Sequence, residues 1–178
     1  MLRVEVVMRE WYNEETDEIS SETYTLDLEH SLLSLSKWEE KYERPFLKDD
    51  DKTPEEMLDY YKFMALSDEV PDEVFYSLGL SDLKTINEYI GSRRTATWFS
   101  DKNGKPTKEV ITSELVYYWI FSYNIPIECE RWFLNRLFTL VKVFSVKNSP
   151  PKKKSQSEIA AENRALNAQR KAKLKTKG

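Results

Sequence analysis

Between residues 109 and 148, Leu115, Tyr118, Trp119 and Phe121, then Trp132, Phe133, Leu137, Phe138, Leu140 and Val141, recur at spacings of three and four. That period predicts two helices, each with a wide apolar face that must be buried. They join at Asn124-Ile125-Pro126, where Pro126, lacking an N–H, stops the first helix and can open the second. A helical hairpin at the centre of the core follows. Nearer the start the period drops to two. Val4, Val6 and Met8 oppose Arg3, Glu5, Val7 and Arg9, and Tyr24, Leu26 and Leu28 oppose Thr23, Thr25 and Asp27, around a polar loop from Asn13 to Glu18. This predicts a β-hairpin with strands over 3–11 and 23–28, which must pack on the helices or pair with another subunit.

Shorter helices fill the middle. Ser36-Lys37-Trp38-Glu39 fits a capping box and predicts a helix over 36–43, ended by Pro45. Thr53-Pro54-Glu55-Glu56 supplies an N-cap, a first-turn proline and acidic residues matched to the helix dipole, with Met57, Leu58, Tyr61, Met64 and Ala65 as the buried face. Pro71-Asp72-Glu73 starts another helix ending near Gly79, and Ser81-Asp82 caps one more that runs to Gly91. Over 92–106 the period lapses. Thr95-Ala96-Thr97-Trp98-Phe99 and the turn-forming Asn103-Gly104 fit a small second hairpin or an exposed loop. After Asn148-Ser149-Pro150-Pro151 the apolar face disappears. Ser155-Gln156-Ser157-Glu158 repeats a capping box, but the segment beyond has only Ile159, Leu166 and Leu174 as bulky apolar residues, so it is helical only in part, or disordered, until it lies on a partner.

Four glycines in 178 residues and 13% aromatic residues favour helices over a fold built on tight β turns. The expected fold is mainly α (α+β), an N-terminal β-hairpin packed on a helical bundle. Charge changes the picture further. From Lys152 to Gly178 nine Lys and Arg against Glu158 and Glu162 leave +7, while the remainder carries −11, beneath a net charge of −4. Two regions follow, a compact acidic domain over 1–149 and a basic tail over 150–178. Cys129 is the single cysteine, so an internal disulfide is excluded and a reducing compartment fits. A charged start with an apolar run is missing at the N-terminus, and no stretch has eighteen uninterrupted apolar residues. A cytoplasmic protein, away from the membrane, is expected.

The catalytic inventory is poor. His30 and Cys129 are the only histidine and cysteine and lie far apart in sequence, with a surface or capping role expected for His30; two such ligands cannot make a structural zinc site. Asp49-Asp50-Asp51 lacks EF-hand spacing and reads as a hydrated loop, and phosphate-cradling glycine motifs are missing. Neither a cofactor nor an enzymatic activity is expected. Arg93-Arg94 with the aromatics after it fits either a nucleic-acid or protein surface or a packed β-edge; Trp119, Trp132 and Tyr117-Tyr118 read as core. For the tail, phosphate neutralisation competes with binding of an acidic or amphipathic protein helix and with an inert solubilising role.

Several segments resemble the tail assembly chaperones of long-tailed bacteriophages. They are Leu35-Ser36-Lys37-Trp38-Glu39-Glu40-Lys41-Tyr42-Glu43-Arg44-Pro45-Phe46-Leu47, Asn87-Glu88-Tyr89-Ile90, Thr95 to Phe99, Ile125-Pro126-Ile127-Glu128-Cys129-Glu130-Arg131-Trp132-Phe133-Leu134-Asn135-Arg136-Leu137, and, in the tail, Lys147 to Lys153 and Asn163 to Arg170. Phe133 stands where the family pattern Trp-His-Leu-Asn-Arg-Leu has His, which removes a proton donor or ligand there. The resemblance implies a non-enzymatic protein of the bacterial host cytoplasm that coats the helical tape measure protein and recruits tail tube subunits. Arg131, Asn135 and Arg136 would then order the hairpin or face a partner, with a buried Asn135–Arg136 pair as the structural alternative. Lys152, Lys153, Lys154, Arg164, Arg170 and Lys171 would dock on tape measure or tube protein. Self-association fits as well. The rival reading is a neck, tail or capsid-associated virion component whose basic tail contacts neighbouring subunits or nucleic acid.

Overall fold

The computed structural model describes residues 1–14, 17–48, 51–67, 69–97, 99, 110–149 and 156–174. Its elements form an N-terminal antiparallel hairpin followed by seven α-helices. β1 (Leu2–Asn13) and β2 (Glu18–Leu28) pair from Leu2 opposite Leu28 to Asn13 opposite Glu18. The expected alternation holds where the hairpin meets the core: Val4, Val6, Leu26 and Leu28 are buried and Arg3, Glu5 and Val7 are exposed. β2 starts earlier than alternation suggests. Glu18, Ser21 and Glu22 are exposed, so no apolar period marks this half of the strand. The register shifts between Val7 and Arg9, leaving Met8 as an extra residue, and beyond this bulge Trp11, Tyr12 and Ile19 are exposed. At the other end Glu29 N–H donates to the Met64 carbonyl (2.8 Å) and Leu66 N–H to the Asp27 carbonyl (3.0 Å), which covers the edge of β2.

α1 (Leu32–Tyr42) is where the packing converges, for it lies against α2 (Pro54–Met64), α5 (Ser113–Ser122) and the 3-10 turn Ile127–Arg131. It begins four residues before the expected start. Ser31, not Ser36, is the N-cap: its Oγ accepts from Ser34 N–H (3.2 Å), and Ser34 Oγ accepts from Ser31 N–H (3.0 Å). Ser31 with Ser34 and Ser36 with Glu39 both have cap spacing, and burial decides between them, because Leu32, Leu35 and Trp38 form one fully buried stripe that the helix must include. Glu39 therefore is not a capping residue. Its buried carboxylate accepts from Phe46 N–H (2.9 Å) through Oε1 and from Ser113 N–H (2.6 Å) through Oε2, tying the loop after α1 to the first turn of α5. Glu43 closes the helix in the left-handed region (φ 50°), two residues before Pro45.

α2 is capped as expected, Thr53 N–H donating to Glu56 Oε2 (2.8 Å) and Thr53 Oγ1 accepting from Glu56 N–H (3.3 Å). Trp38 Nε1 donates to the Glu56 carbonyl (2.9 Å), and Lys41 and Tyr42 both bond the Asp59 carboxylate, which pushes the Tyr42 hydroxyl up to about 12. Buried Tyr60, absent from the expected face of α2, stacks on Phe46 at 3.9 Å. α3 (Asp72–Tyr76) and α4 (Leu80–Ile90) follow, the latter capped by Asp82 Oδ2 accepting from Gly79 N–H (2.9 Å).

The apolar helices α5 and α6 (Leu134–Asn148) are present, with two corrections. α6 begins at Leu134, eight residues after Pro126, because the 3-10 turn intervenes. α5 buries Ser113, Val116 and Ile120, while Tyr118 (65% exposed) and Phe121 (64%), expected inside, face outward. Described residues of 92–97 carry no strand, and the turn at Asn103-Gly104 lies outside the described residues. Residues Met1–Phe144 and Ser145–Gly178 form two compact units, the second holding α7 (Gln156–Leu174). Among the described residues no helix is long and apolar enough to cross a membrane.

Candidate interaction surfaces

The turn between α5 and α6 is hooked to the segment before α1. Leu134 N–H donates to the His30 carbonyl (2.8 Å), and Ser31 and Phe133 form a β-bridge. Of the three candidate residues here, Asn135 is committed to the fold: its Nδ2 donates to the Ser92 carbonyl (2.7 Å), anchoring the loop after α4. Arg136 is exposed, with its guanidinium 4.4 Å from the Trp132 ring centroid, so the two do not make a buried pair. Arg131 is the exposed last residue of the 3-10 turn. The structure thus leaves Arg131 and Arg136 exposed and commits Asn135 to the fold. Arg94, expected with Arg93 in a basic surface or a packed β-edge, has a left-handed backbone (φ 44°), and its guanidinium lies 4.3 Å from the Tyr89 ring and 5.9 Å from Phe133.

In the tail, Lys152, Lys153, Lys154 and the expected cap Ser155 lie outside the described residues. Arg164, Arg170 and Lys171 are exposed on α7, as are Ile159, Leu166 and Leu174. On a helix Ile159, Leu166, Arg170 and Lys173, spaced by seven, four and three, share one stripe. α7 therefore presents a face with Ile159 and Leu166 in its N-terminal half, Glu162 and Asn163 between them, and Arg170 and Lys173 in its C-terminal half.

The chemistry-bearing residues are used structurally. Contrary to the surface or capping role expected, His30 is buried, with Nδ1 2.5 Å from the Tyr60 hydroxyl and its ring edge-on to Tyr60 and Phe133. Burial disfavours the imidazolium and lowers its pKa to about 4, and burial likewise pushes the Tyr60 hydroxyl up. Cys129 is buried in the 3-10 turn, and its thiol is pushed up by burial and by Glu128. Among the described residues no group of three or more His, Cys, Asp or Glu could hold a metal; Asp49 and Asp50 lie outside them.

One surface was not anticipated. α2, α3 and α4 enclose an open cleft of about 460 Å³ lined by Met57, Leu58, Tyr61, Phe75, Leu78 and Leu83, with Glu55 and Asn87 as polar members. Tyr61 Oη donates to Asn87 Oδ1 (3.1 Å). Three short helices contribute to it, so no single periodic stretch announces the cleft. No protein-family model, curated protein or solved structure matches the chain.

Proposed function

We propose that this chain is a non-enzymatic phage tail assembly chaperone that binds the tape measure protein and recruits tail tube subunits. The observation that carries a binding role is α7, a 19-residue helix whose described side chains are exposed apart from half-buried Ala160, in a basic segment joined to an acidic unit. A helix that buries no side chain gains nothing from packing and serves best as a contact surface. The partner comes from the resemblance, whose segments include α1, the turn before α6 and α7. Exposed Arg131 and Arg136 would add a second contact on the other unit, and Asn135 would hold that turn in place.

Co-purification with the phage's tape measure protein tests the proposal, with the full chain and a chain ending at Ser149, at low and high salt. Retention by the full chain supports it, and loss on truncation assigns the contact to the tail. If neither retains tape measure protein while the full chain carries salt-removable nucleic acid, the chaperone reading gives way to the nucleic-acid one. The virion-component reading differs in one outcome: the chain would remain in purified particles, whereas a chaperone leaves before the tail is complete.

A further inference from the structure

We propose that the cleft between α2, α3 and α4 receives α7 of a second copy of this chain. The argument stands independently of the chaperone reading. The cleft's floor is apolar, and the three helices that form it carry seven acidic residues against two lysines. Both lysines face carboxylates, Lys62 that of Asp72 (2.8 Å) and Lys84 that of Glu88 (3.9 Å). Exposed Tyr76 (69%), itself a lining residue, and Leu80 (88%), at the start of α4, extend the apolar surface. An apolar trough bordered by carboxylates fits an amphipathic helix with cationic flanks, the helix-in-groove mode of recognition.

α7 has that chemistry. Ile159 and Leu166 stand two turns apart, roughly 10 Å along the axis, and Arg170 and Lys173 continue the same stripe with positive charge. In this geometry the aliphatic pair enters the trough while Arg170 and Lys173 meet carboxylates such as Glu55 and Glu73. Ile159, Leu166 and Leu174 are exposed on α7 and the cleft is open, so each carries apolar surface left to cover. The junction is heterologous, cleft of one copy to tail of the next, and such a contact builds either a closed ring or an open chain.

Sedimentation velocity of the full-length protein across micromolar concentrations tests this at low and high salt. We expect self-association at low salt that high salt weakens at least ten-fold, as screening of opposite charges requires. Ile159→Glu with Leu166→Glu spoils the tail, and Glu55→Lys with Glu73→Lys spoils the border of the cleft. All four positions are exposed, so the tail pair should leave the melting curve unchanged and the border pair should lower it only by the loss of two first-turn helix-dipole contacts, while each pair abolishes self-association. Mixing the two variants leaves one intact junction, good cleft to good tail, and should restore a 1:1 complex and nothing larger. A monomer at every concentration overturns the proposal. So does a monomer whose α7 amides are protected from hydrogen exchange, which would put the helix in its own cleft, and so does self-association that survives both variant pairs.

Discussion

α1 and α7 are both helices, held by different means. α1 has eleven residues and buries Leu32, Ser34, Leu35, Trp38 and Glu39; α7 has nineteen, rich in Ala, Gln, Arg, Lys and Leu, and none of its described side chains is fully buried. By intrinsic propensity α7 is the better helix. By tertiary support the order reverses, since α1 is held by Trp38 against α2, by Glu39 against α5 and by the ring contact of Trp38 with Phe46. The two therefore differ in what breaks them. A change in α1 is felt by the whole unit Met1–Phe144, whereas a change in α7 is felt by whatever the helix meets.

The largest expected effect is Trp38→Ala, which removes a fully buried indole and should cost about 3–5 kcal/mol in urea unfolding followed by circular dichroism. A loss below about 1 kcal/mol would remove α1 from the centre of the packing. Glu39→Ala leaves the N–H groups of Phe46 and Ser113 without their acceptor and should cost about 2–4 kcal/mol, with Glu39→Gln recovering part because one carbonyl oxygen remains. Equal losses for the two variants would mean that the carboxylate does not bridge these segments.

Acid should separate the same two regions. The folded pKa of His30, about 4, lies below its ordinary 6.5, so the unfolded chain binds the proton more readily. Its contribution to stability is full above pH 6.5 and declines as pH falls towards 4, by about 2 kcal/mol between pH 6.5 and 5. Urea midpoints across that window should fall in the parent chain and flatten in His30→Gln. Arg136→Ala should lower stability by less than about 1 kcal/mol, as an exposed cation–π contact allows. A partner affinity that falls no further than this would dispense with a binding role for Arg136. Ending the chain at Ser149 should have the smallest effect, within about 0.5 kcal/mol on unit Met1–Phe144. A larger loss would erase the contrast between α1 and α7.

The sequence made the hairpin's inner half legible because Val4, Val6, Leu26 and Leu28 alternate against one buried face, and the start of α2 because the cap formed by Thr53, Pro54 and Glu56 is local. α5 was harder. It is apolar nearly all round, so its period gives a helix but not its inward side, which Val116 and Ile120 turn out to form. The start of α1 was obscured by two successive cap motifs, Ser31 to Ser34 and Ser36 to Glu39. The contacts of Glu39, Asn135 and Arg94, and the cleft, escaped for another reason: each depends on segments that meet only in the fold, as when Glu39 reaches both Phe46 and Ser113. The tail's charge was plain from composition, which requires no tertiary information.

Cys129, buried in the turn between α5 and α6 and the only thiol in the chain, gives the molecule a built-in clock. A thiol reagent added in excess reaches it only during moments when that turn opens. Its modification rate divided by the rate for the unfolded chain is then the equilibrium constant for local opening. A partner that settles on exposed Arg131 and Arg136 would slow the clock at neutral pH without touching the sulfur, so occupancy of this face can be timed in the unaltered protein.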